Sequence, residues 1–181
     1  MLIPTSDRRA IPVAAEPLPA SLIAPLATAI IRPLRPEDER LYADFDAHLD
    51  PDDRRRRFFT SLREIGAERA HDLTHFDRRD GRAFAAIDRA DGSLLGVSRV
   101  HRVPGDAAEF ALLVRSDAQG RGIGRRLLQE ALAGARDLRV GRVVGFVLRE
   151  NVRMLGLCRD LGFRRGGLTD DPGVLRLERP V

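Results

Sequence analysis

Residues 119–124 read Gln119-Gly120-Arg121-Gly122-Ile123-Gly124, three glycines in six positions, and they run directly into a stretch with helical periodicity. Glycine lets backbone N–H groups approach a ligand with no Cβ in the way, and a helix N-terminus adds a favourable dipole. Together they predict a cradle for a pyrophosphate, to which Arg121, Arg125 and Arg126 add fixed positive charge suited to a further phosphate. A plain strand-to-helix turn is the alternative reading. A dinucleotide fingerprint requires glycine where Arg125 stands, so a Rossmann-type sheet fits poorly.

Other residues able to do chemistry are sparse. Glu109 is a lone carboxylate in an apolar run with Phe110, Leu112, Leu113 and Val114; by itself that pattern reads as an outward-facing strand glutamate. His71-Asp72-Leu73-Thr74-His75 sets two imidazoles one helical turn apart, the spacing of a zinc helix with Asp in the glutamate slot. The sequence offers no obvious third ligand, and no metal is expected. His48 and His101 join no constellation. The run Arg54-Arg55-Arg56-Arg57, beside Asp52 and Asp53, reads as the solvated end of a helix. Cys158, the single cysteine, is expected as a buried structural thiol rather than an acid or nucleophile.

Positioning these residues falls to a mixed set of elements. Residues 30–34 form a short strand, and Pro36-Glu37-Asp38-Glu39 opens a helix that Leu41, Phe45 and Leu49 continue until Asp50-Pro51 breaks it. A second helix is expected over roughly 67–76. Strands at 83–87 and 94–100 flank a turn marked by Asp91-Gly92, and Pro104-Gly105-Asp106 turns the chain into a third strand at 108–114. Ile123, Leu127, Leu128, Ala131, Leu132, Ala135 and Leu138 then hold one face of a helix. A strand at 143–148, a helix at 151–161 stopped by Gly162, and a strand at 174–177 complete the chain. Strands and helices without strict alternation predict an α+β fold.

The composition narrows the function. All 31 basic residues are arginine, and a chain without lysine has no lysine Schiff base, lysine general base or Walker-type phosphate loop. Net charge is +4 over 181 residues, a mild excess that gives little support to nucleic-acid binding. A single cysteine forms no internal disulfide, which predicts a reducing, cytoplasmic setting. Residues 1–28, interrupted by five prolines, read as a mobile arm ahead of one domain at 29–181; no stretch reaches the length of a membrane span.

The 119–124 loop matches the Gln/Arg-x-x-Gly-x-Gly/Ala signature of the GNAT acetyltransferase superfamily. Downstream, Asn151-x-x-Met154-x-x-Leu157 and Leu161-Gly162-Phe163 resemble its next motif, so that the likeness spans roughly residues 30–179. Ile31-Arg32-Pro33-Leu34-Arg35-Pro36-Glu37-Asp38-Glu39, Arg57-Phe58-Phe59 and Ala108-Glu109-Phe110-Ala111 look more narrowly like the acetyltransferase domain of bacterial protein lysine acetyltransferases. This resemblance implies a mostly antiparallel mixed sheet, splayed at an acetyl-CoA site, and transfer of acetyl from acetyl-CoA to an amine with no metal. It implies that Gln119, Gly120, Arg121, Gly122, Ile123, Gly124 and Arg125 hold the CoA phosphates. The backbone at Leu112, Leu113 and Val114 would pair with the pantetheine arm, Asn151 would support the cofactor, and Glu109 would be the general base. The implied acceptor is a protein lysine, for example on an acyl-CoA synthetase, or alternatively a small amine; a non-catalytic acyl-CoA sensor is a third reading. Many members place a tyrosine acid where Cys158 stands, and here the only tyrosine, Tyr42, lies far upstream.

Overall fold

A computed structural model describes residues 29–59 and 63–181; the expected N-terminal arm at 1–28 lies outside the described residues. Seven strands form one sheet in the order β1-β2-β3-β4-β5-β7-β6. β1 (Ala29–Pro33), β2 (Gly81–Asp88), β3 (Leu94–Val103) and β4 (Ala107–Val114) make an antiparallel meander. β5 (Arg142–Leu148) joins β4 in parallel, and β7 (Val174–Pro180) returns antiparallel between β5 and the two-residue β6 (Arg164–Arg165). The expected α+β architecture, mostly antiparallel, is the one observed.

Helices cover both faces. Three short α-helices, α1 (Tyr42–Ala47), α2 (Pro51–Phe58) and α3 (Ala67–Thr74), lie on one side with a 3-10 helix, Pro36–Leu41. They close a core around Leu34, Tyr42, Phe45, Leu94 and Leu113. On the other side α4 (Ile123–Asp137) presses Ile123, Leu127, Leu128, Ala131 and Ala135 onto β2, β3 and β4. Each fully buried leucine there contributes roughly 1.5–3 kcal/mol. α5 (Val152–Asp160) adds Cys158 and half-buried Met154 and Leu157 to this second core.

Two expectations changed locally. The predicted helix from Pro36 divides into the 3-10 helix and α1, where a buried Arg32–Asp38 pair, two contacts of 2.7 Å, ties Asp38 back to β1. Asp50-Pro51 ends one helix but also begins α2, because proline at the first helical position lacks only an N–H that no helical carbonyl would accept. No helix among the described residues is long and apolar enough to cross a membrane.

Candidate active site

β4 and β5 pair at only three positions, Ala107 with Arg142, Ala108 with Val143 and Glu109 with Val144. β4 continues to Val114 and β5 to Leu148, so the sheet forks at Glu109. The wedge is visible in the packing. A Cβ at Gly145 would come within 2.1 Å of the Phe110 ring, and that ring in turn packs on Phe163 with centroids 5.1 Å apart. Glycine at 145 therefore admits an aromatic wedge just where the strands part. Beyond the fork, the edge of β4 that faces β5 has no partner strand among the described residues, and apart from the Val114 carbonyl, which accepts from Gln119 Nε2 at 3.3 Å, it can offer backbone polar groups to a ligand.

The fork opens into a cavity of roughly 960 Å³ of non-protein space, continuous with solvent. Glu109, Leu112, Leu113, Val114, Gln119, Gly120, Ile123, Gly124 and Asn151 all line it, so one site unites most of the residues singled out in the sequence. At its mouth Gly120 and Gly122 have φ of +78° and +79°, a left-handed conformation that costs a residue with a Cβ about 1–2 kcal/mol. Gly122 caps α4 without a side-chain hydrogen bond, and the first intrahelical bond is Arg126 N–H to Gly122 O. The amides of Ile123, Gly124 and Arg125 precede that bond, so the helix itself gives them no acceptor, and an anion there would satisfy them.

The flanks of the loop are held by side chains. Gln119 donates from Nε2 to Asp53 at 2.7 Å, and Ser116 donates to the same carboxylate oxygen at 2.6 Å. Arg153 donates to the Gln119 Oε1. Asn151 caps α5 by accepting the Met154 amide at 3.1 Å. Arg121 and Arg125 lie outside the lining: Arg121 donates to the Asp117 carbonyl at 2.9 Å and Arg125 pairs with Asp160 at 2.7 Å. Gly122 also stands back from the lining, as the cap rather than the wall.

At the fork Glu109 is half-buried, and its side chain makes no hydrogen bond or ion pair among the described residues. The β3–β4 register places His101 directly across from it. Burial lowers the His101 pKa; Glu109 opposes this, while Arg99 and Arg57 reinforce it, so the imidazole is neutral at pH 7. Arg57 reaches the same end of the cavity from α2. Burial draws its pKa down to about 10, with Arg99 and Arg69 pushing the same way and Tyr42 and Glu109 opposing. Buried His101 Nδ1 and Arg99 Nε find no hydrogen-bond partner among the described residues. Arg56 Nε, which lines the cavity where His101 and Arg99 do not, is likewise buried without a hydrogen-bond partner among the described residues, and an unsatisfied polar group in a cleft wall marks a site able to take a ligand.

Sequence reasoning missed two members of this cluster. Arg57 belongs to a run read as a solvated helix end, yet it lines the cavity beside Glu109. His101 was legible by counting: the turn at 104–106 forces Val103 opposite Ala107 and therefore His101 opposite Glu109. Cys158 is fully buried away from the cavity, and burial pushes its thiol up to about 12. Tyr42 is buried in the other core and its pKa is raised by that burial. Neither lines the cleft.

The comparisons with known proteins agree with this geometry. A profile of the GNAT acetyltransferase domain matches residues 29–164. An acetyltransferase of Pseudomonas aeruginosa is 30% identical over 137 residues, 74% of either chain. The N-alpha-acetyltransferase RimI of Mycobacterium tuberculosis is 44% identical over 85 residues, which span 44% of this chain and 51% of that protein. Among solved structures, the GNAT domain of S. lividans PAT is 29% identical with a TM-score of 0.77, over 84% of this chain and 90% of that one. The spermidine N-acetyltransferase of Vibrio cholerae, solved with CoA and spermine, shares the fold at 20% identity and a TM-score of 0.66, over 85% and 96%. A forked sheet with a glycine-capped helix at its mouth, joined to these likenesses, places the chain in the GNAT family as an N-acetyltransferase that uses acetyl-CoA.

Proposed function

We propose that this enzyme acetylates lysine side chains of proteins by direct attack of the amine on bound acetyl-CoA, with Glu109 as general base. The observation that carries the reading is the fork itself: the last paired residue of β4 is a carboxylate lining the cleft and, unlike Asp53, the other lining carboxylate among the described residues, its side chain is not held by Ser116 and Gln119. A lysine amine with pKa near 10.4 is neutral in only about one molecule in 2,500 at pH 7, so attack needs a proton acceptor. Glu109 takes that proton, directly or through one water. Backbone N–H groups along the unpaired edge of β4 stabilise the oxyanion of the tetrahedral intermediate. The CoA thiolate leaves and takes its proton from solvent, since neither Cys158 nor Tyr42 reaches the cleft.

In this reading the 119–124 loop and the first amides of α4 hold the pyrophosphate, and residues 112–114 pair with the pantetheine arm. Asn151 fixes the first turn of α5 beside the cofactor. Arg121 and Arg125 reach phosphates only by releasing Asp117 and Asp160. Residues 29–181 act as one acetyltransferase domain in the cytoplasm. The half-buried guanidinium of Arg57 repels a polycation, which favours a lysine on a protein surface over a polyamine.

A second reading, transfer to an α-amine of a peptide or small molecule, is favoured by the 85-residue likeness to RimI. Labelled acetyl transfer separates the two, with a purified AMP-forming acyl-CoA synthetase, a free peptide N-terminus and spermidine offered in parallel. Label on lysines of the synthetase is the expected result; label confined to α-amines would replace the proposal with the second reading. The enzyme has no lysine of its own to contribute background.

A further inference from the structure

The His71/His75 pair, which lacked a third ligand in the sequence, acquires one in three dimensions. Glu39 of the 3-10 helix brings Oε2 to 3.1 Å from His71 Nδ1 and 3.6 Å from His75 Nδ1. All three ligand atoms lie within 4.8 Å of one another. Zinc bonds to nitrogen and oxygen of about 2.0–2.1 Å set tetrahedral edges near 3.3 Å, and the two oxygen-to-nitrogen separations bracket that value. The imidazole rings are stacked, with centroids 4.0 Å apart and planes 13° from parallel, and both Nδ1 atoms lie beside the Glu39 carboxylate. Rotation about χ2, a soft torsion in histidine, converges them.

We propose that Glu39, His71 and His75 form a binding site for a divalent zinc-class ion, separate from the acetyl-CoA cleft and completed by water at the fourth position. Two imidazoles and one carboxylate are the donor set of many zinc sites with an open coordination position. The side chains are 36–56% exposed, which leaves an entry path and room for the water. In the structure His75 Nδ1 donates to the His71 carbonyl at 3.2 Å and lies 3.0 Å from Thr74 Oγ1, and His71 Nδ1 donates to Glu39 at 3.1 Å; metal binding replaces these bonds and requires each imidazole in the neutral tautomer with its proton on Nε2. The ion would join segments 32 residues apart. The 3-10 helix is already tied to β1 through Arg32–Asp38, so the ion would fasten α3 to the sheet through it. Its role is therefore to stabilise the helical layer, not to take part in acetyl transfer.

The test is calorimetric titration of ZnCl2 into the untagged, chelator-treated full chain at pH 7.5, paired with thermal unfolding and with Co2+ absorption as a reporter of ligand geometry. The expected result is one zinc per chain, a melting temperature that rises with zinc, and tetrahedral cobalt bands. Affinity should fall at least about tenfold in His71→Gln, His75→Gln and Glu39→Gln. Absence of zinc binding would overturn the proposal, as would equal binding by the His71→Gln/His75→Gln double variant, which would put the ion elsewhere. Loss in the histidine variants with none in Glu39→Gln would overturn the three-ligand site. These side chains are partly exposed, and a wild-type circular dichroism spectrum is required of each variant before its affinity is compared. The metal-free variants should keep acetyl transfer, measured as thiol release.

Discussion

Glu109→Gln isolates the base from everything else at the fork. The substitution keeps the size and shape of the side chain, and the glutamate has no hydrogen bond or ion pair among the described residues for glutamine to break. Its backbone partners, His101 on β3 and Val144 on β5, are untouched. Acetyl-CoA affinity and melting temperature should therefore stay near wild type, because the loop and the unpaired edge of β4 are intact. Loss of a positioned general base costs about 10²–10⁴-fold, or roughly 2.7–5.4 kcal/mol on the barrier. The pH profile adds a second constraint. Raising the pH from 7 to 9 increases the neutral fraction of a lysine amine about a hundredfold, so turnover by the variant should climb about tenfold per pH unit and close much of the gap. The assay is kcat/KM for acetyl transfer from pH 6 to 10, with acetyl-CoA binding measured separately by calorimetry. Wild-type turnover by the glutamine variant at pH 7 would refute the base assignment. A matched loss of turnover and of acetyl-CoA affinity would instead make Glu109 a cofactor-binding residue.

The remaining predictions concern the cradle and the two cores. Gly122→Ala should lose about 1–2 kcal/mol of stability from the left-handed backbone, along with acetyl-CoA affinity. Gly124→Ala, whose Cβ would meet Leu112, Val114 and Leu157 at an ordinary 3.6–3.8 Å, should gain roughly 0.5–1 kcal/mol and still bind acetyl-CoA in calorimetry. Burial would raise the Asp38 pKa, but the Arg32 fork and the Arg35 amide outweigh it and hold the carboxyl below its ordinary value. The resulting stability is present above about pH 4 and lost as pH falls below it; Asp38→Asn should cost about 2 kcal/mol near pH 7 and flatten the acid limb of a denaturation profile. The Cys158 thiol, pushed up to about 12 by burial, stabilises the fold below about pH 8.5 and loses that contribution as alkali ionises the unfolded thiol. Native protein should react with a thiol reagent only at its unfolding rate, and Cys158→Ala should retain acetyl transfer.

Local signals were enough for the elements and for half of the site. The meander of β1–β4 was legible because proline and glycine turns punctuate alternating strands, and α4 because seven apolar residues recur at the helical period. The glycine loop was legible because φ near +78° is a backbone demand that sequence records directly as glycine. Arg57 was misread, because a charge run looks the same whether it faces water or reaches, in the last turn of its helix, into a cleft. The short β6 was missed because two residues carry no periodicity.

Sequence alone determined the α+β class, the glycine turn that starts α4 and, through arginine in place of every lysine, which catalytic chemistries this chain lacks. Only the tertiary structure decided where β4 and β5 part, because that depends on Phe110 meeting Gly145 across 35 residues of chain. It also decided that His101 faces Glu109, that Cys158 and Tyr42 stand outside the cleft, and that Glu39 lies against the histidine pair. The physical reason is common to all of these. Periodicity and turn chemistry are written in neighbouring residues, whereas a site is a set of contacts between distant ones, and their separation appears only when the core has fixed the backbones that carry them.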